Sequence, residues 1–373
     1  MKQLKNKNIK QSFHCLFMLM WLVCTFPIVG FTSCSREDSL PVSSSSGEKV
    51  TVSYTIPEKT PGARSGYVLA EGAESTVNSL YFLFFKYDVH GNGTYITALQ
   101  GTMESSSLRT NRISLTLSGG INNTTDYQVL AVANLESFTP NPADFLLKTC
   151  AWKTYGEIHR SLALQLAKDA DGVYSFAGGI LPMSGSTVKR AGEDITLDLY
   201  RAVVRVDVKV AADKTSDITL YEAYLANVMP QVPLYEIWDA GEAYVRSQSA
   251  QAQSGEIIKG KLYTGECLRH FTGDKDDIRR RALCLILKVK STAIHNTPET
   301  ANLLWYRTNL KLEDNAQYLQ RNNAYTVYIT DVLSTGQETG DDAINGASQL
   351  AISTVTVAEW ADSGVTPPNV DID

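Results

Sequence analysis

The side chains with the most pronounced chemistry in this chain are its six cysteines and five histidines. Cys34 stands apart from the rest. It follows Phe31-Thr-Ser33 and precedes the polar Ser35-Arg-Glu-Asp38. Ahead of it, Lys2, Lys5, Lys7 and Lys10 lead into an apolar run from Phe13 to Phe31, broken by His14, Thr25 and Pro27. A basic region, an apolar core and small residues before a break describe a secretory signal peptide over 1–33. A cysteine directly after the small residues matches a loosely spelled bacterial lipobox. Its thiol is then the atom that takes diacylglycerol, and palmitate-type acyl chains anchor the new N-terminus at the outer membrane. The run approaches the ~20 residues of a membrane span, but Pro27 and the Ser33-Cys34 ending favour cleavage. The tether then covers 34–48, with a Ser-rich stretch from Ser43 to Gly47.

The remaining cysteines suggest packing. Cys150, Cys267 and Cys284 lack the Cys-x-x-Cys spacing of zinc or redox sites. Cys284 lies within Leu283-Cys-Leu-Ile-Leu287, where a small buried hydrophobe is expected, with a Cys267–Cys284 disulfide as the alternative. His90, His159, His270 and His295 show no His-Glu-x-x-His spacing, and no Gly-x-Ser-x-Gly elbow or phosphate-binding glycine loop occurs. The Asp274–Asp277 cluster lacks the spacing of a calcium loop and reads as a solvated loop. The sequence therefore suggests no enzyme, no cofactor and no metal. Asp38-Ser39-Leu40 fits a short O-glycosylation pattern.

The leader holds four basic residues and no acidic ones, so the rest carries 30 basic against 40 acidic. An acidic surface of this kind excludes nucleic acid as a partner, because phosphate binding needs clustered Lys and Arg. About 340 residues after the leader suggest two domains.

Strand patterns dominate. Val50, Val52, Tyr54 and Ile56 alternate with hydroxylated residues, a period of two. Leu80–Phe85 and Tyr127–Ala133 are apolar on both faces. Ile113–Leu117, Leu283–Val289, Leu303–Leu312, Tyr325–Leu333 and Ala351–Val357 are further strands, separated by Gly, Asn and Asp turns. One helix is predicted over Tyr155–Lys168, and one or two short helices in all. Ile195, Leu197 and Leu199 put apolar residues on odd positions, whereas Ala202, Val204, Val206, Val208 and Val210 put them on even ones. A strand changes its buried face only through a bulge or break. Two strands meeting at Tyr200–Arg201, or one long bulged strand, satisfy this. The expected fold is all-β, with sandwiches over 49–190 and 191–373.

Leu181-Pro-Met-Ser-Gly185, then Leu199-Tyr-Arg-Ala-Val-Val-Arg-Val-Asp-Val208, then Arg321-Asn-Asn-Ala-Tyr-Thr-Val-Tyr-Ile-Thr330 and Val355-Thr-Val-Ala-Glu-Trp360 occur in this order. The set resembles the fimbrillin family of Bacteroidales, the subunits of type V pili. The resemblance implies two transthyretin-like β-sandwich domains, export as a lipoprotein and partnership with other fimbrial subunits. It also implies a trypsin-like, Arg-specific protease that removes the first strand and opens a groove. A neighbouring subunit's strand then fills that groove, and the assembled fimbria serves adhesion. Val50, Val52, Tyr54 and Ile56 match the removable strand. Arg64, in the Pro- and Gly-rich 57–66 stretch, matches the processing site, since exposed loops are where proteases cut. Arg36 is a poorer match, because a cut there leaves the first strand in place. Ala351, Ser353, Val355 and Val357 form the candidate donor strand. Pro367 and Pro368 follow it, and proline is disfavoured in a paired strand. A non-polymerising tip or anchor subunit therefore stays open. So does a surface lipoprotein that binds glycan or host protein through Tyr221, Tyr224, Tyr235, Trp238 and Tyr244.

Overall fold

Period-two residues near the start and even-numbered valines after Tyr200 lead into two different pairs of sheets. The structure, a computed structural model, describes residues 48–56, 67–103, 110–118, 120–176, 179–236, 244–292, 303–310, 312–313, 316–333, 335–346 and 350–361. In the first sandwich, one sheet runs in the order Ile195–Asp198, Lys49–Thr55, Thr110–Thr116, Thr102–Met103. The facing sheet runs Tyr200–Arg201, Met183–Arg190, Asp126–Ala133, Leu80–Lys86, Tyr95–Gln100. Val52, Tyr54, Ile113, Leu115 and Ile195 from one sheet pack with Phe82, Phe84, Val129 and Met183 from the other.

The second sandwich pairs a sheet of Ile257–Gly265, Val203–Val210, Asn323–Val332, Leu350–Ala361 and Tyr67–Leu69 with one of Ala250–Gln251, Ile218–Ala226, Cys284–Ser291 and Leu304–Asn309. Val204, Val206, Val208, Val327 and Ile329 meet Leu220, Leu225, Leu285 and Leu287 in its core. The same apolar cluster takes in Leu83, Phe85, Leu130 and Val132 from the first sandwich. Leu80–Phe85 and Tyr127–Ala133 are buried on both faces for this reason. The described residues from 48 to 361 form one compact unit.

The change of parity marks a change of sheet. Ile195–Asp198 pairs within the first sandwich, Tyr200–Arg201 ends there, and Val203–Val210 lies in the second. Of the two readings of that stretch, separate strands are correct.

The helices depart from expectation. There are four short α-helices among the described residues: α1 Pro142–Cys150, α2 Tyr155–Ser161, α3 Lys275–Arg281 and α4 Gly340–Asn345. None spans enough turns to write a periodic apolar stripe, so their signals are caps. Asn141, Thr154, Asp274 and Thr339 each accept a backbone N–H of the first turn. Thr154 and Glu157 complete a capping box. The Asp274–Asp277 cluster is thus the start of α3, not a loop, and its charges face Arg279, Arg280 and Arg281. Helix α2 stops at Ser161, seven residues short of the predicted end. Leu162 turns extended and Ala163–Gln165 pairs with Gln231–Pro233, so tertiary pairing outweighs local propensity.

Candidate functional site

The first strand is interior to its sheet. Lys49–Thr55 pairs antiparallel with Thr110–Thr116 along its whole length and parallel with Ile195–Asp198. Val50, Val52, Tyr54 and Ile56 all face the core and are buried, with Val52 fully so. The odd-numbered Thr51, Ser53 and Thr55 lie half-exposed on the other face. Removing this strand would strip both neighbours of a ladder and open a slot. Its lining is Ile113, Leu115, Ile195, Leu197, Phe82 and Phe84. Cys34, Arg36 and Arg64 lie outside the described residues. The end of the first strand at Thr55 and the start of the next at Tyr67 belong to different sandwiches.

The Pro-Met-Ser-Gly element supports this slot. Met183 is fully buried in the first core. A Cβ on Gly185 would stand 2.1 Å from the Asp198 carbonyl oxygen. Only a glycine lets the strand beside the first one cross this close. The Ser184 hydroxyl donates to the Leu234 carbonyl, and Pro182 accepts from the Ala202 N–H at 2.8 Å.

Arg201 and Arg205 are fully buried, and each binds the segment that crosses between the sandwiches at 70–79. The Arg205 guanidinium donates to Glu74 at 3.0 Å and to Asp207 at 2.8 Å. Arg201 donates to the Glu74 carbonyl at 3.0 Å and to the Ser75 hydroxyl at 2.7 Å. The Tyr263 hydroxyl donates to Glu74, and burial together with that carboxylate pushes its pKa well up. The same segment is held from the other sandwich by Asn134, whose amide donates to Thr76 at 2.8 Å and to Leu181 at 2.7 Å. Buried charges persist only when paired and hydrogen-bonded, and this set meets that condition. Glu74 escaped the sequence reading. The signal was present: two arginines within a valine-rich strand demand a buried acid.

The candidate donor strand lies in the second sandwich. Leu350–Ala361 pairs with Asn323–Val332 on one side and with Tyr67–Leu69 on the other. The pairing with Tyr67–Leu69 reaches only Glu359–Ala361, so Ala351, Ser353, Val355 and Val357 lie on the stretch held by Asn323–Val332 alone.

The histidines do not converge. His159 stacks between the rings of Tyr155 and Tyr235, at centroid distances of 5.5 and 5.3 Å. Desolvation lowers its pKa, against the pull of Glu236. His90 and His270 are exposed, and His295 lies outside the described residues. Among the described residues, no group of three His, Cys, Asp or Glu side chains could hold a metal. Cys150, Cys267 and Cys284 are buried and no disulfide joins Cys267 to Cys284, so that alternative falls. The five aromatics do not form one exposed face. Tyr224 and Tyr235 are buried, Tyr244 lies under Arg269, Tyr221 is exposed, and Trp238 is outside the described residues.

No protein-family model matches the chain, and no curated protein matches it. Solved structures do. A candidate cell adhesion protein from Parabacteroides distasonis aligns with a TM-score of 0.52 at 13% identity, over 85% of this chain and 98% of that one. The tip fimbrial protein Mfa3 from Porphyromonas gingivalis, with a C-terminal truncation, aligns at 0.50 and 14% identity, over 84% and 100%. The chain has a fimbrillin-type fold. A candidate cell adhesion protein from Bacteroides eggerthii shares it at 0.50 and 15% identity, over 85% and 97%. At such identities the likeness speaks for the fimbrillin-type fold alone. It extends over both sandwiches.

Proposed function

We propose that this protein is a structural subunit of a cell-surface fimbria, serving adhesion and working without catalysis. It is exported as a lipoprotein, anchored at the outer membrane through Cys34 and processed by an Arg-specific protease at Arg64. Its two domains divide near 190/191 in sequence, with Ile195–Asp198 and Tyr200–Arg201 still pairing in the first sandwich and Tyr67–Leu69 in the second. The observation that carries the reading is the first strand: interior to its sheet, alternately buried, and followed directly by the stretch that holds Arg64. One cut there frees one strand and one slot. Strand addition into such a slot supplies a full ladder, with alternate side chains filling pockets. The fold shared with fimbrial and adhesion proteins supports the same reading.

The last strand favours a subunit that accepts a neighbour without donating, such as a tip or anchor. Leu350–Ala361 is held along most of its length by Asn323–Val332 and at Glu359–Ala361 by Tyr67–Leu69, so donation would require pulling it out of its own sheet. The test is cleavage of the purified chain within 57–66, alone and with partner subunits. Linear oligomers that Arg64→Ala abolishes are expected with partners. Monomers under all conditions would reject strand exchange. A Cys34→Ala chain is expected to lose metabolic lipid labelling, and retained labelling would reject the anchor.

A further inference from the structure

On one side of the junction between the sandwiches lies a cleft of about 630 Å³. That is within the size range of small-ligand sites, about 300–1,000 Å³. Its aromatic surface is Phe176, set over the buried rings of Tyr174 and Tyr263. Phe176 is half-buried and meets Tyr263 edge-on at 5.8 Å and Tyr174 at 5.8 Å. Its walls carry Ser175, Gln248, Ser249, Gln251 and Lys261. These five are exposed, and their side chains have no hydrogen-bond or ionic partner among the described residues.

Charge narrows the ligand. The chain carries a formal net charge of -6, yet the cleft has one carboxylate, Glu71, and Lys259 holds it at 2.6 Å. Glu74 and Asp207 lie below and are bound to Arg205. Among the described residues, Lys261 is left as an uncompensated cation. Amides and hydroxyls offer paired donors and acceptors, an aromatic surface suits the apolar face of a sugar ring, and a free ammonium suits an acid group.

A peptide strand fits less well. The Ile257–Gly265 strand at the cleft is a sheet edge, but it is bulged where its pairing with Val206 and Val208 shifts. Gly260, at φ +61°, sits there, and its N–H donates to Asp207 at 2.9 Å. A bulge blunts an edge against strand addition.

We infer that this cleft binds an acidic saccharide. The inference goes beyond assembly and concerns what the surface holds. The uncleaved chain is titrated calorimetrically with sialyllactose and a hyaluronan oligosaccharide, against lactose and a malto-oligosaccharide. Saturable binding of an acidic probe is expected, with neutral probes weaker. Lys261→Glu is expected to weaken it about tenfold or more, the scale of a charge-assisted hydrogen bond. Gln251→Ala, also exposed, is expected to weaken it less. Equal thermal unfolding of both variants shows that folding is not the cause. No binding of either acidic probe, equal binding of neutral ones, or indifference to Lys261→Glu overturns the inference. So does displacement of the sugar by an extended Ser/Thr-rich peptide. Assembly of cleaved protein proceeds in any of these cases, so the two readings fail separately.

Discussion

Val52 is the most fully buried contact of the first strand with the slot, and truncating it tests how that strand is held. It pairs with Ile113 on one side and Ile195 on the other, and is fully buried. Val52→Ala removes two carbons, worth about 0.8 kcal/mol each in transfer, and leaves a cavity, for about 1.5–3 kcal/mol in total. In the intact chain this lowers global stability. In a chain nicked within 57–66 it acts on release of the strand. At 1.4 kcal/mol per factor of ten, release becomes about ten- to a hundredfold faster. The assay uses nicked protein and a fluorescent peptide of sequence 48–56, with exchange followed by anisotropy. Ser53→Ala is the control, because Ser53 sits on the half-exposed face and a surface change there is expected to cost within about 0.5 kcal/mol. Equal exchange for the two variants would refute an apolar hold. Exchange absent even from Val52→Ala on the timescale of global unfolding would mean that the strand cannot be replaced.

Arg205→Ala is expected to cost about 3–5 kcal/mol by stranding Glu74 and Asp207, whereas Glu74→Leu combined with Arg205→Met is expected to recover part of the loss; urea unfolding measures both. Native Cys150 and Cys284, with thiols pushed up to about 12 and about 11 by burial, are expected to resist alkylation at pH 8 and to react once the chain is unfolded, as read by mass spectrometry. His159 is held below its ordinary pKa mainly by desolvation. The unfolded chain therefore takes up that proton first, and stability is expected to fall as pH drops below about 6.5. Thermal unfolding between pH 7.5 and 5 should show a shallower fall in His159→Phe than in the parent.

Much of the sandwich architecture was legible because its strands obey a period of two. Val50 to Ile56 and Ala202 to Val210 are read correctly as buried, and the parity change at Tyr200–Arg201 falls where the chain changes sheets. Apart from the start of α2 at Tyr155, the helices were illegible for the converse reason. At six to nine residues they are specified by caps, and α2 is ended by a strand partner 66 residues away, visible in the Gln165 pairing with Gln231. The acid at position 74 was missed because nothing local distinguishes it from a surface glutamate. Only the arginines that reach it do so. The aromatic cluster from Tyr221 to Tyr244 misled because density in sequence carries no information on facing.

The chain passes between its two sandwiches three times: from Ile56 to Tyr67, from Leu69 to Leu80, and from Arg201 to Val203. The cut at Arg64 would sever the first. The other two are riveted to each other, since the arginines flanking the third passage grip Glu74 and Ser75 in the second. A pull on one sandwich therefore reaches the other through two covalent cables joined side by side, loaded in shear across a buried ion pair. Such a joint stiffens the subunit without a hinge. The processed chain would still transmit tension, because the two passages that remain are the riveted ones.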